Sequence, residues 1–282
     1  MKAKYIILPV LLLLAPGFMA GAQSSWLELP SKGNKDMDYS TQYMFKDGKK
    51  VRSHTYCFDP ALRISRWVAY PLNAGLIGSG SRGEGWHPYE GISEYKQAAL
   101  YKGFAYGSGY DRGHQIPSAD RLDLEINYET FVFANATPQR HEFNEGIWTD
   151  LERLVRTWAK RSDTLYVVTG ILPGKETIKD NAGRPVNIPR AYYKTVIRKN
   201  TDRRGEVHWS SCSILIPHNT KPPQNMNWPQ TLEYLKGFSC TIDELEEVTK
   251  EDFFPNLHRF VGGPRAEILE FLDPKEEDWW WK

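Results

Sequence analysis

The chain predicts an α+β fold, a β-sheet with flanking helices, rather than alternating βαβ units. Three observations carry this. Runs rich in β-branched and aromatic residues come first, at 53–58 and 63–72. One amphipathic helical segment follows at 144–161, and three more strand signals with a second capped helix complete the order. Of the 282 residues, 40% are hydrophobic and 13% aromatic, enough for a full-sized core in one large domain or two small ones. No repeat or low-complexity linker divides the chain after its N-terminal segment.

Residues 1–22 have the composition of an export signal. Lys2 and Lys4 form a charged start, 5–14 is an apolar run broken only by Pro9, and Ala20-Gly21-Ala22 offers small residues for cleavage before Gln23. That run is short for a membrane span. The expectation is an exported protein, periplasmic or secreted, with no membrane attachment once mature; a retained N-terminal anchor is the alternative. Residues 23–50 are polar and rich in Gly, Lys and Ser, and read as an arm leading into a domain over 51–265. The first two strand signals flank a turn at Asp59-Pro60 and predict a hairpin. Five glycines between Gly75 and Gly85 predict a surface loop carrying Arg82. A phosphate-loop reading fails there for want of the Gly-Lys-Ser/Thr sequence and a following helix.

Residues 128–134 form a short apolar segment, and 135–139 (NATPQ) read as a turn. Asn144 suits an N-cap for a helix to about Arg161, whose buried stripe is Trp148, Leu151, Val155 and Trp158. Strands are expected at 165–169, 192–198 and 207–216. Thr241 with Glu244 makes a capping box for a helix to about Lys250. The acidic, aromatic tail 266–282 reads either as docked on the body or another chain, or as a disordered end.

Charge is unevenly spread. Residues 243–282 hold 12 Asp/Glu against 5 Lys/Arg, whereas 23–242 hold 29 Lys/Arg against 23 Asp/Glu. A moderately basic body suits a polyanionic substrate, yet it lacks the strong excess of a dedicated nucleic-acid binder. Cys57, Cys212 and Cys240 allow at most one intramolecular bridge, with Cys212 and Cys240 nearest in sequence. Their spacing fits no zinc site.

The densest chemistry lies in Asp111-Arg112-Gly113-His114 and the segment thirty residues on. A histidine can act as general base near neutral pH. Asn144 offers one hard, neutral oxygen, which leaves most of a Mg2+ shell to water and substrate. Glu152 and Arg156 follow on the same helix, rotated about 80° and 120° from Asn144. Each has an ordinary reading: a structural histidine, a helix cap, and a surface Glu/Arg pair spaced i,i+4. Two other functions compete. Ser93-Glu94-Tyr95-Lys96 matches the short S-x-x-K pattern of serine hydrolases, though its partner motifs are missing. An exported binding or adhesion module would use the aromatics and acidic tail without turnover.

With these residues in place, the chain resembles the DNA/RNA non-specific endonucleases of the ββα-metal (His-Me finger), endonuclease G-like class. The resemblance rests on YDRGHQIPSAD (110–120), NATPQ (135–139) and FNEGIWTDLERLVR (143–156), supported by WVAYPL (67–72), VVTG (167–170) and IPRAYYKTVI (188–197). It implies a central mixed or antiparallel sheet with flanking helices and a ββα-metal site motif. It also implies that His114 is the general base and Asn144 the ligand of Mg2+, with Mn2+ a substitute. Glu152 would hold water on the metal, and Arg156 and, more weakly, Arg82 would bind phosphate. Asn135 would orient its neighbours, and Asp111 and Arg112 would shape the site. The implied substrates are DNA and RNA, held through the phosphate backbone and cut to leave 5′-phosphate ends. Whether the protein forms a homo-oligomer stays open. The stretch 140–143, the 75–96 loop and the tail follow no family pattern.

Overall fold

The computed structural model describes residues 26–104 and 107–280. The expected export signal therefore lies outside the described residues. Eleven strands follow in chain order: β1 (Asp38–Lys46), β2 (Lys49–Asp59), β3 (Ile64–Leu72), β4 (Tyr110–His114), β5 (Ala136–Arg140), β6 (Thr164–Leu172), β7 (Thr177–Lys179), β8 (Pro185–Asn187), β9 (Ala191–Thr201), β10 (Val207–Pro217) and β11 (Ser239–Cys240). Four helices of eight residues or more accompany them: α1 (Thr149–Ala159), α2 (Trp228–Lys236), α3 (Ile242–Thr249) and α4 (Gly263–Phe271). Seven strands form one sheet in the order β1-β2-β3-β6-β9-β10-β11, antiparallel at every pairing. The α+β expectation holds, and the sheet is antiparallel rather than mixed.

Strand side chains alternate between faces, and here both faces are covered. Tyr56, Tyr70, Val167, Val196 and Ile214 pack on one side with Leu151, Leu154, Val155 and Trp158 of α1. Their sequence neighbours Cys57, Ala69, Val168 and Ile197 pack on the other with Leu245 of α3 and Leu269 of α4. Two-sided burial explains why these strands read as nearly continuous apolar runs. It also separates Cys212 from Cys240, since they contribute to opposite cores, and all three thiols are free.

Three expectations need correction. Residues 38–46, expected within a polar arm, form the edge strand β1 paired to β2. An edge strand with one solvated face has no apolar run to announce it. Residues 135–139, expected as a turn, lie mostly in β5 (136–140); its Pro138 is tolerated because β4 and β5 make only a two-stranded ladder. The tail boundary drawn at 266 falls inside α4, which buries Ala266 and Leu269. Beyond α4 the chain crosses to the other core. There Trp158 Nε1 donates to the Trp279 carbonyl at 2.7 Å, the two rings meet edge-on at 4.7 Å, and Arg198 pairs with Asp278 at 2.8 Å. Trp279 is fully buried. Trp279→Ala should lower unfolding free energy by about 3 kcal/mol through cavity formation. Urea unfolding checks this, and an unchanged midpoint would show that the tail contributes no stability.

Candidate active site

The site is built on β4, β5 and the helical segment that follows. In the β4–β5 ladder His114 lies opposite Ala136 and Gly113 opposite Thr137. Glycine is required at 113 by packing: a Cβ there would sit 2.0 Å from Gln139 Oε1. The chain leaves β5 directly into helical turns at 141–143, passes through one widened turn at 144–148, and continues as α1. Gly146 supplies the non-helical step, with φ −98° and ψ −115°.

Asn144 is therefore inside the helical segment, with φ −62° and ψ −51°, and does not cap it. Its Nδ2 donates to Asp111 Oδ2 at 3.0 Å, an oxygen that also lies 3.0 Å from His141 Nδ1. With its donor committed to Asp111, the amide keeps Oδ1 without a hydrogen-bond partner among the described residues. A carbonyl oxygen held this way suits a hard cation.

One cavity of about 470 Å³ is lined by His114, Arg82, Arg112, Asn144, Glu152 and Arg156. Five of the six sequence-predicted site residues thus share one wall. A cavity of about 430 Å³ beside Phe45 and Asp123 has no such set of donors. The sixth, Asn135, is fully buried and does not line the site. Its Oδ1 accepts from Ile116 N at 3.0 Å, and its Nδ2 donates to the carbonyls of Ile116 and Thr130 at 2.9 Å. It fixes the backbone just after His114, so it positions the site and does not reach the reacting atoms.

The His114 ring lies 4.6 Å from Trp86 and meets Phe131 edge-on at 4.8 Å. Burial, with Arg82 and Arg112 adding repulsion, lowers its pKa to about 3. The imidazole is neutral across the physiological range and able to accept a proton. Its Nε2 is buried with no hydrogen-bond partner.

Glu152 and Arg156 are not a surface pair. Arg156 Nη1 lies 3.1 Å from Asp120 Oδ1 and 4.0 Å from Glu152 Oε2, while Tyr70 Oη donates to Asp120 Oδ2 at 3.0 Å. Burial raises the Glu152 pKa to about 7, against the pull of Lys194 and Arg156. Lys194 projects from β9, its ammonium 3.2 Å from Thr169 Oγ1 and 4.9 Å from the centre of the Trp148 ring; burial lowers its pKa. Asp120 and Lys194 were missed from sequence. The signals existed, an acid closing the YDRGHQIPSAD stretch and a cation in the middle of the apolar run AYYKTVI.

The glycine loop presents Arg82 to the cavity and is pinned. A Cβ on Gly80 would lie 2.0 Å from the Leu122 carbonyl, and Gly78 has φ +76°. The serine-hydrolase reading fails, because the Lys96 ammonium pairs with Asp38 at 2.8 Å on an exposed turn. Asp111, His141 and Glu145 also offer ligand atoms within 4.8 Å of one another, but His141 already contacts both carboxylates.

Known proteins resemble the chain over most of its length. The family model described as DNA/RNA non-specific endonuclease matches residues 38–260. Mitochondrial endonuclease G of Homo sapiens is 31% identical over 232 residues, covering 77% of this chain and 73% of that protein. A nuclease of Nostoc sp. is 29% identical over 198 residues, 68% of each chain, and a nuclease of Serratia marcescens is 27% identical over 191. Among solved structures, one of an EndoG/EndoGI complex superposes with a TM-score of 0.57 at 22% identity, covering 77% of this chain and 87% of that one. That likeness speaks to the fold.

Proposed function

The chain belongs to the DNA/RNA non-specific endonuclease family of hydrolytic nucleases, and on that premise we propose an exported, Mg2+-dependent endonuclease. It cuts phosphodiester bonds of DNA and RNA with little sequence preference and leaves 5′-phosphate ends. The observation that carries this reading is the convergence of His114, Arg82, Asn144, Glu152 and Arg156 on one cavity. An adhesion module has no need of a neutral buried histidine that shares a cavity with a free amide oxygen and a carboxylate.

His114 takes the proton of the attacking water on a ring nitrogen, which its neutral state allows. Trp86 and Phe131 hold the ring plane, so little reorientation is needed at the moment of transfer. Arg82, Arg112 and Arg156 aim positive charge at the phosphoryl oxygens, and Asp120 holds Arg156 in place. Asn144 Oδ1 would hold the divalent ion with Glu152 beside it, and hard oxygen donors favour Mg2+ or Mn2+ over softer metals. When bound, the ion supplies charge stabilisation at the phosphoryl and departing oxygens. Contacts to the sugar–phosphate backbone rather than to base edges account for low sequence preference.

Asn144→Ala should reduce cleavage of supercoiled plasmid and single-stranded RNA on the order of 10²-fold or more, since several kcal/mol of charge stabilisation depend on the ion it holds. EDTA should abolish cleavage by the wild type. Cleavage that survives both EDTA and Asn144→Ala would refute the metal assignment.

A further inference from the structure

Behind the catalytic turn lies a groove that the reaction does not use. The helical turn 141–145 separates the two: Asn144 and Glu145 line the active cavity, while His141 and Phe143 line a neighbouring cavity of about 530 Å³. That second cavity also takes in Arg140, His218 and Lys221. A third, of about 310 Å³, shares Arg140 and His218 with it and adds Lys175 and Arg190. The second and third cavities form one path, on the other side of that turn from the active cavity.

Four cations, Arg140, Lys175, Arg190 and Lys221, face this path, and all are exposed. None of them enters an ion pair among the described residues. Two acids, Glu142 and Glu176, lie on the same rims, so the path is cationic on balance. The groove is also held rigid from beneath. His218, 3% exposed, accepts from Arg140 N at 2.8 Å through Nε2 and donates to the Pro189 carbonyl at 2.8 Å through Nδ1, while its own amide donates to the Arg190 carbonyl at 2.9 Å. One buried ring therefore fixes three chain segments and sets Arg140 and Arg190 relative to each other. The stretch 140–143 supplies part of the wall.

We propose that this path is a backbone-binding track for polynucleotide extending beyond the cleaved bond, with Arg140, Lys175, Arg190 and Lys221 contacting successive phosphates. It rests on the endonuclease reading. The spacing of separate cations along an open groove fits a linear polyanion, and the absence of competing ion pairs leaves them free to release counterions on binding. The track acts on long substrates and gives processive contact without reading bases.

The test uses His114→Ala protein in EDTA, so that binding is read without turnover, and a fluorescent single-stranded oligonucleotide as probe. Each cation removed should lower the log–log salt slope of affinity by about 0.7. Arg140→Ala with Lys221→Ala should therefore lower it by about 1.4, and the single change Lys175→Ala in the third cavity by about half that. In the otherwise wild-type enzyme with Mg2+, the ratio of kcat/KM for a long oligonucleotide to that for a tetranucleotide should fall in the same variants. Unchanged salt slopes, or equal losses on long and short substrates, would overturn the track while leaving the nuclease reading intact. Failure of the unsubstituted enzyme to cleave either substrate would overturn the nuclease reading instead.

Discussion

Replacing His114 with alanine is expected to lower the single-turnover cleavage rate by roughly 10²–10⁴-fold, the usual range for loss of a positioned general base. Binding should change far less, because Arg82, Arg112 and Arg156 remain on the cavity wall. The pH profile is a second part of this expectation. With its pKa at about 3, His114 stays neutral and contributes no acid limb to kcat/KM across the ordinary assay range. Glu152, raised to about 7 by burial, is the group whose protonation falls within it. If its ionised form is required, activity falls as pH drops through that region, and Glu152→Gln removes the limb along with much of the rate. A bound phosphate would neutralise Arg82 and Arg112, the cations that help depress His114. Its pKa should rise in the complex from that low value. Equal rates for wild type and His114→Ala would end the assignment.

Lys194→Met should destabilise the protein near pH 8 by about 1.4 kcal/mol for each unit that the pKa of the buried carboxylate it acts on climbs further. The group left behind is Glu152, for which Lys194 is the foremost influence opposing its upward shift. The sign follows from linkage. Glu152 has a folded pKa of about 7, above its unfolded value, so its ionisation opposes folding at high pH and that penalty fades as pH falls through 7. Without Lys194 the folded pKa climbs further, the penalty at pH 8 grows, and lowering the pH relieves it over a wider interval. Urea unfolding at pH 8 and pH 6 should thus show a larger deficit at pH 8. The acid limb of activity should move to higher pH in the same variant. A deficit that does not vary with pH would mean that Lys194 acts only through packing against Trp148.

Much of the site was legible because its residues are close in sequence and carry distinctive chemistry. His114, Asn144, Glu152 and Arg156 lie on β4 and the adjoining helical segment, so short-range pattern places them together. Their detailed roles were less legible. The cap expected of Asn144 depended on where the helix began, and helical turns starting at His141 moved it inside. Asp111 was expected to shape the site, but how it does so, by taking the amide of Asn144, is visible only in the fold. Lys194 and Asp120 come from distant segments, and only the closing of the sheet against α1 brings them to Glu152. The fold followed the same rule. Two-sided burial made β3, β6, β9 and β10 conspicuous, whereas β1, polar and at the edge, left no apolar signature. The docking of Trp279 on Trp158 spans 121 residues, beyond the reach of any local pattern.

The central claim is that His114 activates water, not a sugar hydroxyl, against a phosphodiester in the cavity it shares with Asn144. Analysis of the ends produced from a matched pair of DNA and RNA oligonucleotides with Mg2+ tests it most directly. Both should yield 5′-phosphate and 3′-hydroxyl ends, since water serves either sugar equally. A 2′,3′-cyclic phosphate from RNA with DNA left uncut would contradict it.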